Sequence, residues 1–337
     1  MKYTQEAVNA AYSVIESRRQ KALTTYDSHV RSIKEHHQEI YEILLNISKT
    51  SSKLANVVFT RDKDGNPLVN VSEAVEKIKN ENLSNQEKLK SSLLASGYPE
   101  DYLTVNYTCP ICSDTGIHLG NRCKCAEELM ISYTISKLNE QCKIKLHSFS
   151  EFDLNFYPES YQYNGNSYSC KSMMAEILDF CVDYANSFSE HSQSLFMLGK
   201  TGLGKTFLSS CIANALINKG VNVAFDSIQN YLRYIENEHF GRAEGDTLEL
   251  LLNAELLILD DLGCEFRSSF NSATIYNLIN SRCNMGKPTI VSSNLSINEL
   301  SDRYDDRIIS RLIGNYHTLR FIGEDIRQIK RREGIFD

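Results

Sequence analysis

The 337-residue sequence holds no apolar run long enough to span a membrane, no apolar signal region behind Met1-Lys2-Tyr3, no internal repeat and no low-complexity tract. These absences argue against a membrane-spanning helix and a secretory leader, and they lead us to expect a cytoplasmic protein with no membrane partner. Positive charge is not in surplus: 36 Lys and Arg face 43 Asp and Glu, for a net charge of −7. The chain is therefore not expected to coat duplex DNA electrostatically, although a local basic groove for a single strand stays open. Neither proline nor glycine occurs between Glu6 and Ser48. Apolar residues recur there at three- and four-residue steps, which predicts a long amphipathic helix or a helical hairpin.

Cysteine is plentiful, with ten in the chain. In a reducing compartment clustered cysteines mean a metal more often than a disulfide. Cys109-Pro110-Ile111-Cys112 and Cys123-Lys124-Cys125 flank a glycine-containing loop, and four thiolates arriving on two tight turns can complete a tetrahedron around Zn²⁺. Buried thiols or a redox pair are the plain alternatives, and His118 is a reserve ligand. The other cysteines, including 142 and 264, are expected in the core.

The length predicts about two domains. Val57-Val58-Phe59 and Leu68-Val69 flank a turn cluster at Asp62 to Pro67, consistent with a hairpin or a simple loop, and separate helices are expected from Ser72 through Ile78 and around Leu89 to Leu94. From Phe149 onward apolar strands alternate with helices, implying a parallel sheet covered on both faces. At its centre, Leu195 to Leu198 reads as a strand running into Gly199-Lys200-Thr201-Gly202-Leu203-Gly204-Lys205-Thr206 and then a helix. This is a phosphate-binding loop: its glycines let the backbone curl so that N–H groups point at phosphate oxygens. Lys205 should reach the β- and γ-phosphates of ATP and Thr206 should ligate Mg²⁺.

Leu256 to Leu259 forms a second apolar strand ending in Asp260 and Asp261. Asp260 is expected to hold Mg²⁺ opposite Thr206, and Asp261 to orient an attacking water. Asn294 closes the Thr289-to-Ser293 strand, where its amide could bond the water or the γ-phosphate. An ordinary turn asparagine fits as well. Two short helices are expected to carry Arg303, Arg307 and Arg311. Arg311 could neutralise γ-phosphate charge or simply lie on a helix surface.

The phosphate loop, Leu259-Asp260-Asp261-Leu262-Gly263, Ser292-Ser293-Asn294 and Arg307 to Leu312, in this order, resemble the AAA+ ATPases of the DnaC/DnaI-type bacterial replicative helicase loaders. The cysteine cluster and Phe149 to Tyr157 are similar to the Firmicutes-type loaders. The resemblance implies an AAA+ core with its lid absent or truncated, preceded by a helical N-terminal region with a small zinc module. It makes Asp260 the Walker B residue, Asn294 sensor 1, and Arg311 an arginine finger acting on the neighbouring subunit's ATP. Arg327 is the candidate for sensor 2, and the helix after Phe225 corresponds to a region that contacts single-stranded DNA. Many AAA+ proteins carry Glu where this chain has Asp261, so hydrolysis is expected to be slow.

The expected organisation is a partner-binding region over 1–107, a zinc module over 108–126, a linker helix over 127–147 and an ATPase domain over 148–337. The expected partners are a replicative helicase, single-stranded DNA and further copies of the chain. An IstB-type transposition ATPase, a P-loop small-molecule kinase and a nucleotide-sensing adaptor without hydrolysis are the competing functions.

Overall fold

A computed structural model describes residues 3, 5–59, 71–141, 144–163 and 166–334. The turn cluster at Asp62 to Pro67, Leu68-Val69 and Cys142 lie outside the described residues. The chain divides into two compact units, Tyr12–Ala126 and Met1–Ala11 together with Glu127–Asp337. Among the described residues no helix is long and apolar enough to cross a membrane.

The proline-free N-terminal stretch forms helix α1 (Gln5–His36) and helix α2 (Gln38–Ser48), parted at His37, whose φ of −138° and ψ of 69° leave the helical region. Helix α3 (Thr50–Phe59) follows, so Val57 to Phe59 are helical rather than part of a hairpin. Helix α4 (Val71–Ala95) is a single helix where two were expected, because no proline or glycine interrupts it. It stops at Gly97, whose φ of +80° lets the Tyr98 N–H reach back to the Leu93 carbonyl at 3.0 Å. Helices α2 and α3 pack on α4, and Ile33, Ile40, Leu93 and Leu103 form the buried core of this unit. A short antiparallel hairpin, β1 (Ile117–His118) and β2 (Asn121–Arg122), closes it.

The larger unit begins its main run with helix α5 (Lys124–Gln141), which stops short of the end of the 127–147 span expected to be helical, residues 144–148 lying outside any helix or strand. Strands β3 (Tyr161–Tyr163) and β4 (Asn166–Tyr168) form a hairpin ahead of helix α6 (Cys170–Asn186). Then come β5 (Ser194–Leu198), α7 (Lys205–Asn218), β6 (Val223–Ser227), α8 (Ile228–His239), α9 (Thr247–Asn253), β7 (Leu256–Asp260), α10 (Ser269–Met285) and β8 (Thr289–Ser293). Helices α11 (Ile297–Ser301) and α12 (Asp306–Asn315), strand β9 (Tyr316–Arg320) and helix α13 (Ile326–Arg332) complete it. Arg303 falls in the turn between α11 and α12, not on a helix.

Five strands pair in parallel in the order β6-β7-β8-β5-β9. Side chains alternate across the sheet. Phe196, Leu257, Leu259 and Val291 join one core with residues of α8, α10 and α12, while Leu195, Met197, Ile258 and Ile290 join a second core with α6 and α7. Burial on both faces explains why β5 and β7 read as near-continuous apolar runs, while β8 buries Thr289, Ser292 and Ser293 beside Ile290 and Val291. The exposed backbone of edge strand β6 is met by α5: Asn139 donates from Nδ2 to the Val223 carbonyl at 2.5 Å and accepts the Phe225 N–H at 3.2 Å.

Arg282 on α10 is completely buried without a carboxylate partner. Its guanidinium donates to the carbonyls of Leu251, Leu252 and Ala254 at the end of α9, to that of Pro288, and to the Thr289 hydroxyl. Burial pulls its pKa down to about 10, so it remains charged near neutrality. One cation thereby satisfies carbonyls at the C-terminal end of α9 and shares the Pro288 carbonyl with the Leu257 N–H.

Candidate functional site

Strand β5 delivers the loop 199–204 to the N-terminus of α7. Gly204 occupies the N-cap position with φ +93° and offers no side chain to the first helical N–H groups. A Cβ there would come within 2.7 Å of the Tyr157 hydroxyl, and one at Gly202 would collide with the Asp325 carboxylate. Both glycines are therefore demanded by close neighbours as well as by their left-handed backbone. The loop is braced from two sides: Tyr157 donates to the Leu203 carbonyl at 3.0 Å, and the Ile326 N–H donates to the Gly202 carbonyl at 2.9 Å.

Because β8 lies between β5 and β7, the ends of three strands meet beside this loop. Lys205 is 4% exposed and donates to the carbonyls of Gly199 (2.6 Å) and Lys200 (2.8 Å) and to Asn294 Oδ1 (2.6 Å). Burial lowers its pKa to about 8 against the pull of Asp261 and Asp260. Asn294 turns its amide nitrogen to Asp261 Oδ1 at 2.7 Å, so one side chain links the lysine to the second carboxylate. Thr206 Oγ1 donates to Asp260 Oδ2 at 2.8 Å. The other Asp260 oxygen accepts the Ser292 hydroxyl at 2.5 Å. Burial above all raises the Asp260 pKa, while the Ser292 and Thr206 bonds favour the carboxylate. A hydroxyl and a carboxylate held in contact beside a phosphate loop match the oxygen donors Mg²⁺ prefers.

The loop opens onto a cavity of about 450 Å³. Its apolar side is made by Ile144, His147, Phe152, Phe156, Tyr157 and Phe207. His147 stacks on Phe207 with ring centroids 4.3 Å apart. Lys205, Thr206, Asp261 and Asn294 line the polar end, and Arg327 and Lys330 enter from α13. The cavity thus holds an apolar surface suited to a nucleobase beside cations suited to phosphates. The aromatic wall was not identified from sequence, where Phe149 to Leu154 marked only the start of a domain. Ser292 was likewise quoted only as a neighbour of Asn294, since nothing in a serine's surroundings announces a bond to a residue 32 positions away.

Arg311 does not line this cavity. It lies on α12, and its Nε is buried with no hydrogen-bond partner among the described residues.

In the smaller unit the sulfurs of Cys109, Cys112, Cys123 and Cys125 all lie within 4.8 Å of one another. The shortest separations are 3.5 Å (Cys112 to Cys125) and 3.8 Å (Cys109 to Cys123). Four thiolates about 2.3 Å from one zinc ion would stand about 3.8 Å apart, so the cluster has the dimensions of a tetrahedral site. Asp114, 2% exposed, accepts the N–H groups of Thr108 and Cys109 at 2.8 Å each and holds the first turn in shape. Burial resists ionisation at Cys112, yet the Gly116 backbone and the neighbouring thiols bring its pKa to about 7. Cys125 is pushed up by burial and by those same thiols. Such a set ionises together only around a cation. His118 is exposed on β1 and is not among the clustered ligands. Cys264 is exposed rather than a core residue, whereas Cys170, Cys181 and Cys211 are buried.

A family described as IstB-like ATP binding protein matches residues 159–334, just over half of the 337-residue chain. The replicative helicase loader DnaC of Buchnera aphidicola subsp. Baizongia pistaciae is 29% identical over 150 residues, covering 43% of this chain and 61% of its own length. The replicative helicase loader DnaC of Escherichia coli K12 is 25% identical over 149 residues, covering 43% and 60%. The chain therefore spans about three fifths of the length of these relatives. Among solved structures, a crystal structure of DnaI is similar at 20% identity with a TM-score of 0.43, covering 53% of this chain and 90% of that one.

Proposed function

The chain belongs to the IstB-like, DnaC/DnaI-type family of AAA+ ATP-binding proteins, and from that premise we propose that it is a slow ATPase that loads a replicative helicase onto single-stranded DNA during replication initiation. The observation that carries the ATPase part is the paired bonding at the strand ends, Thr206 with Asp260 and Lys205 through Asn294 with Asp261.

In this reading the loop N–H groups and Lys205 bind the phosphates, and the aromatic wall takes the base. Thr206 and Asp260 would hold Mg²⁺, which on binding neutralises charge on the phosphate oxygens. Asp261 orients the water that adds to the γ-phosphorus as the bond to the β-phosphate oxygen breaks, releasing ADP and phosphate. Asn294 fixes Asp261 and Lys205 relative to each other. Arg311, which does not line its own cavity, supplies positive charge to the ATP of a neighbouring copy. Arg327 lines its own cavity and acts on the bound phosphates from α13. The cysteine cluster holds one zinc ion, and its unit carries the helicase-binding surface, while the sheet unit meets single-stranded DNA.

The family's IstB name supports transposition as the second reading. Incubating the purified chain with a replicative helicase, ATP and a coated single strand tests the first. Helicase co-purification together with ATP-dependent helicase activity on the coated strand is the expected result. Stimulation of ATP hydrolysis by a transposase, with no helicase captured, would favour the second.

A further inference from the structure

A second buried polar cluster lies on the loop after β7. Glu265 is 5% exposed and uses its two carboxylate oxygens in different directions. Oε2 accepts the Gly263 N–H at 2.9 Å and so closes the turn that begins at Asp261. Oε1 accepts the Tyr304 hydroxyl at 2.5 Å and Arg303 Nη2 and Nε at 2.9 and 3.1 Å, and the Glu265 carbonyl also accepts from Arg303. Arg303 and Tyr304 stand immediately before α12, the helix that bears Arg311.

We propose that Glu265 is a positioning residue for ATP hydrolysis, tying the Asp261 turn of its own site to the helix whose Arg311 serves the neighbouring copy. The inference rests on the ATPase reading above. Asp261 sits at φ +57°, in the left-handed region that aspartate tolerates better than most side chains, and the bond from the Gly263 N–H to Glu265 helps hold the turn that follows it. At the other end, Ile308, Ile309 and Leu312 bury one face of α12 in the core, so a shift at Tyr304 moves the helix as a body. A buried pair whose only task was cohesion would need the Arg303 contacts alone. The additional bond to Gly263 is what joins the two functional elements.

The test uses the full chain in mixed assemblies. Lys205→Ala copies donate Arg311 but bind no ATP, and Arg311→Ala copies bind ATP but donate no arginine, so the mixture regains hydrolysis at shared sites. Failure of this unmodified pair to regain hydrolysis would overturn the shared-site ATPase reading, and the proposal with it, before any Glu265 variant is made. With that control positive, Glu265→Gln placed in either component should lower kcat per assembled complex about tenfold, with the ATP KM changed less than about twofold, the loss of the buried pair with Arg303 being read separately as a lowered unfolding temperature. Tyr304→Phe, which keeps the ring and removes one bond to Oε1, should act in the same direction from the arginine-donating component, and it decides the matter if Glu265→Gln does not fold. An effect confined to the ATP-binding component, or an unchanged rate per assembled complex, would overturn the tie to α12.

Discussion

Lys205 bonds within its own loop and lines the cavity, whereas Arg311 is not among the residues that line it. Lys205→Ala should therefore abolish ATP binding, whereas Arg311→Ala should leave binding within about twofold and lower hydrolysis by about a hundredfold or more. Nucleotide titration of each variant beside steady-state rates checks this. Equal loss of binding in both would assign Arg311 to its own site. A different prediction concerns Arg282, which the sequence presents as one more basic residue on a polar helix. Arg282→Met removes the donor to the carbonyls of Leu251, Leu252 and Ala254 and one of two donors to that of Pro288, and should destabilise the larger unit by about 3–5 kcal/mol in denaturant unfolding. Arg282→Lys, with a point charge in place of the fork, should recover only part of that loss. The strand–glycine turn–helix run from β5 into α7 was legible because its signals lie in consecutive residues. Arg282, Ser292 and Glu265 were not, because their partners arrive from elsewhere in the fold.

At the scale of elements, legibility followed periodicity and punctuation. Strands β5, β7 and β8 were readable because double-sided burial leaves local marks in the sequence. The joining of two expected helices into α4 was not, since Asn80 and Asn82 weaken a helical pattern without breaking it once α2 and α3 pack against the helix. The hairpin β1–β2 is two residues per strand and lacks an apolar core of its own. Its shape must come from the thiol cluster and Asp114. Metal analysis should find one zinc per chain, and a chelator should lower the unfolding temperature of the smaller unit while leaving that of the sheet unit in place. Cys109→Ser should reproduce the chelator's effect. Less than about half an equivalent of zinc, with unfolding indifferent to Cys109→Ser, would remove the metal from this loop.

For the whole molecule, the two units divide the chemistry. Residues 12–126 contain the thiol cluster and a separate apolar core but none of the phosphate-binding residues. Residues 127–337 contain every nucleotide-site residue, and α5 belongs with them because Asn139 pairs with the edge of β6. A cut between 126 and 127 should keep Asn139 with the edge of β6, which one at 147 would strip, and a first piece spanning 12–126 matches the smaller unit, residues 1–11 belonging with the sheet unit. The first piece should capture helicase without nucleotide through its helical surface. The second piece is net negative, with 20 Lys and Arg against 28 Asp and Glu, so a basic path for single-stranded DNA requires local basic patches of several copies aligned by ATP. Its DNA binding should need ATP, rise cooperatively with protein concentration and weaken with salt, as fluorescence anisotropy on a labelled oligonucleotide can follow. Helicase capture residing only in the second piece, or DNA binding that ignores ATP, would break this division. In that case the motifs of the sheet unit would still describe an ATPase, but one whose partners are met on other surfaces.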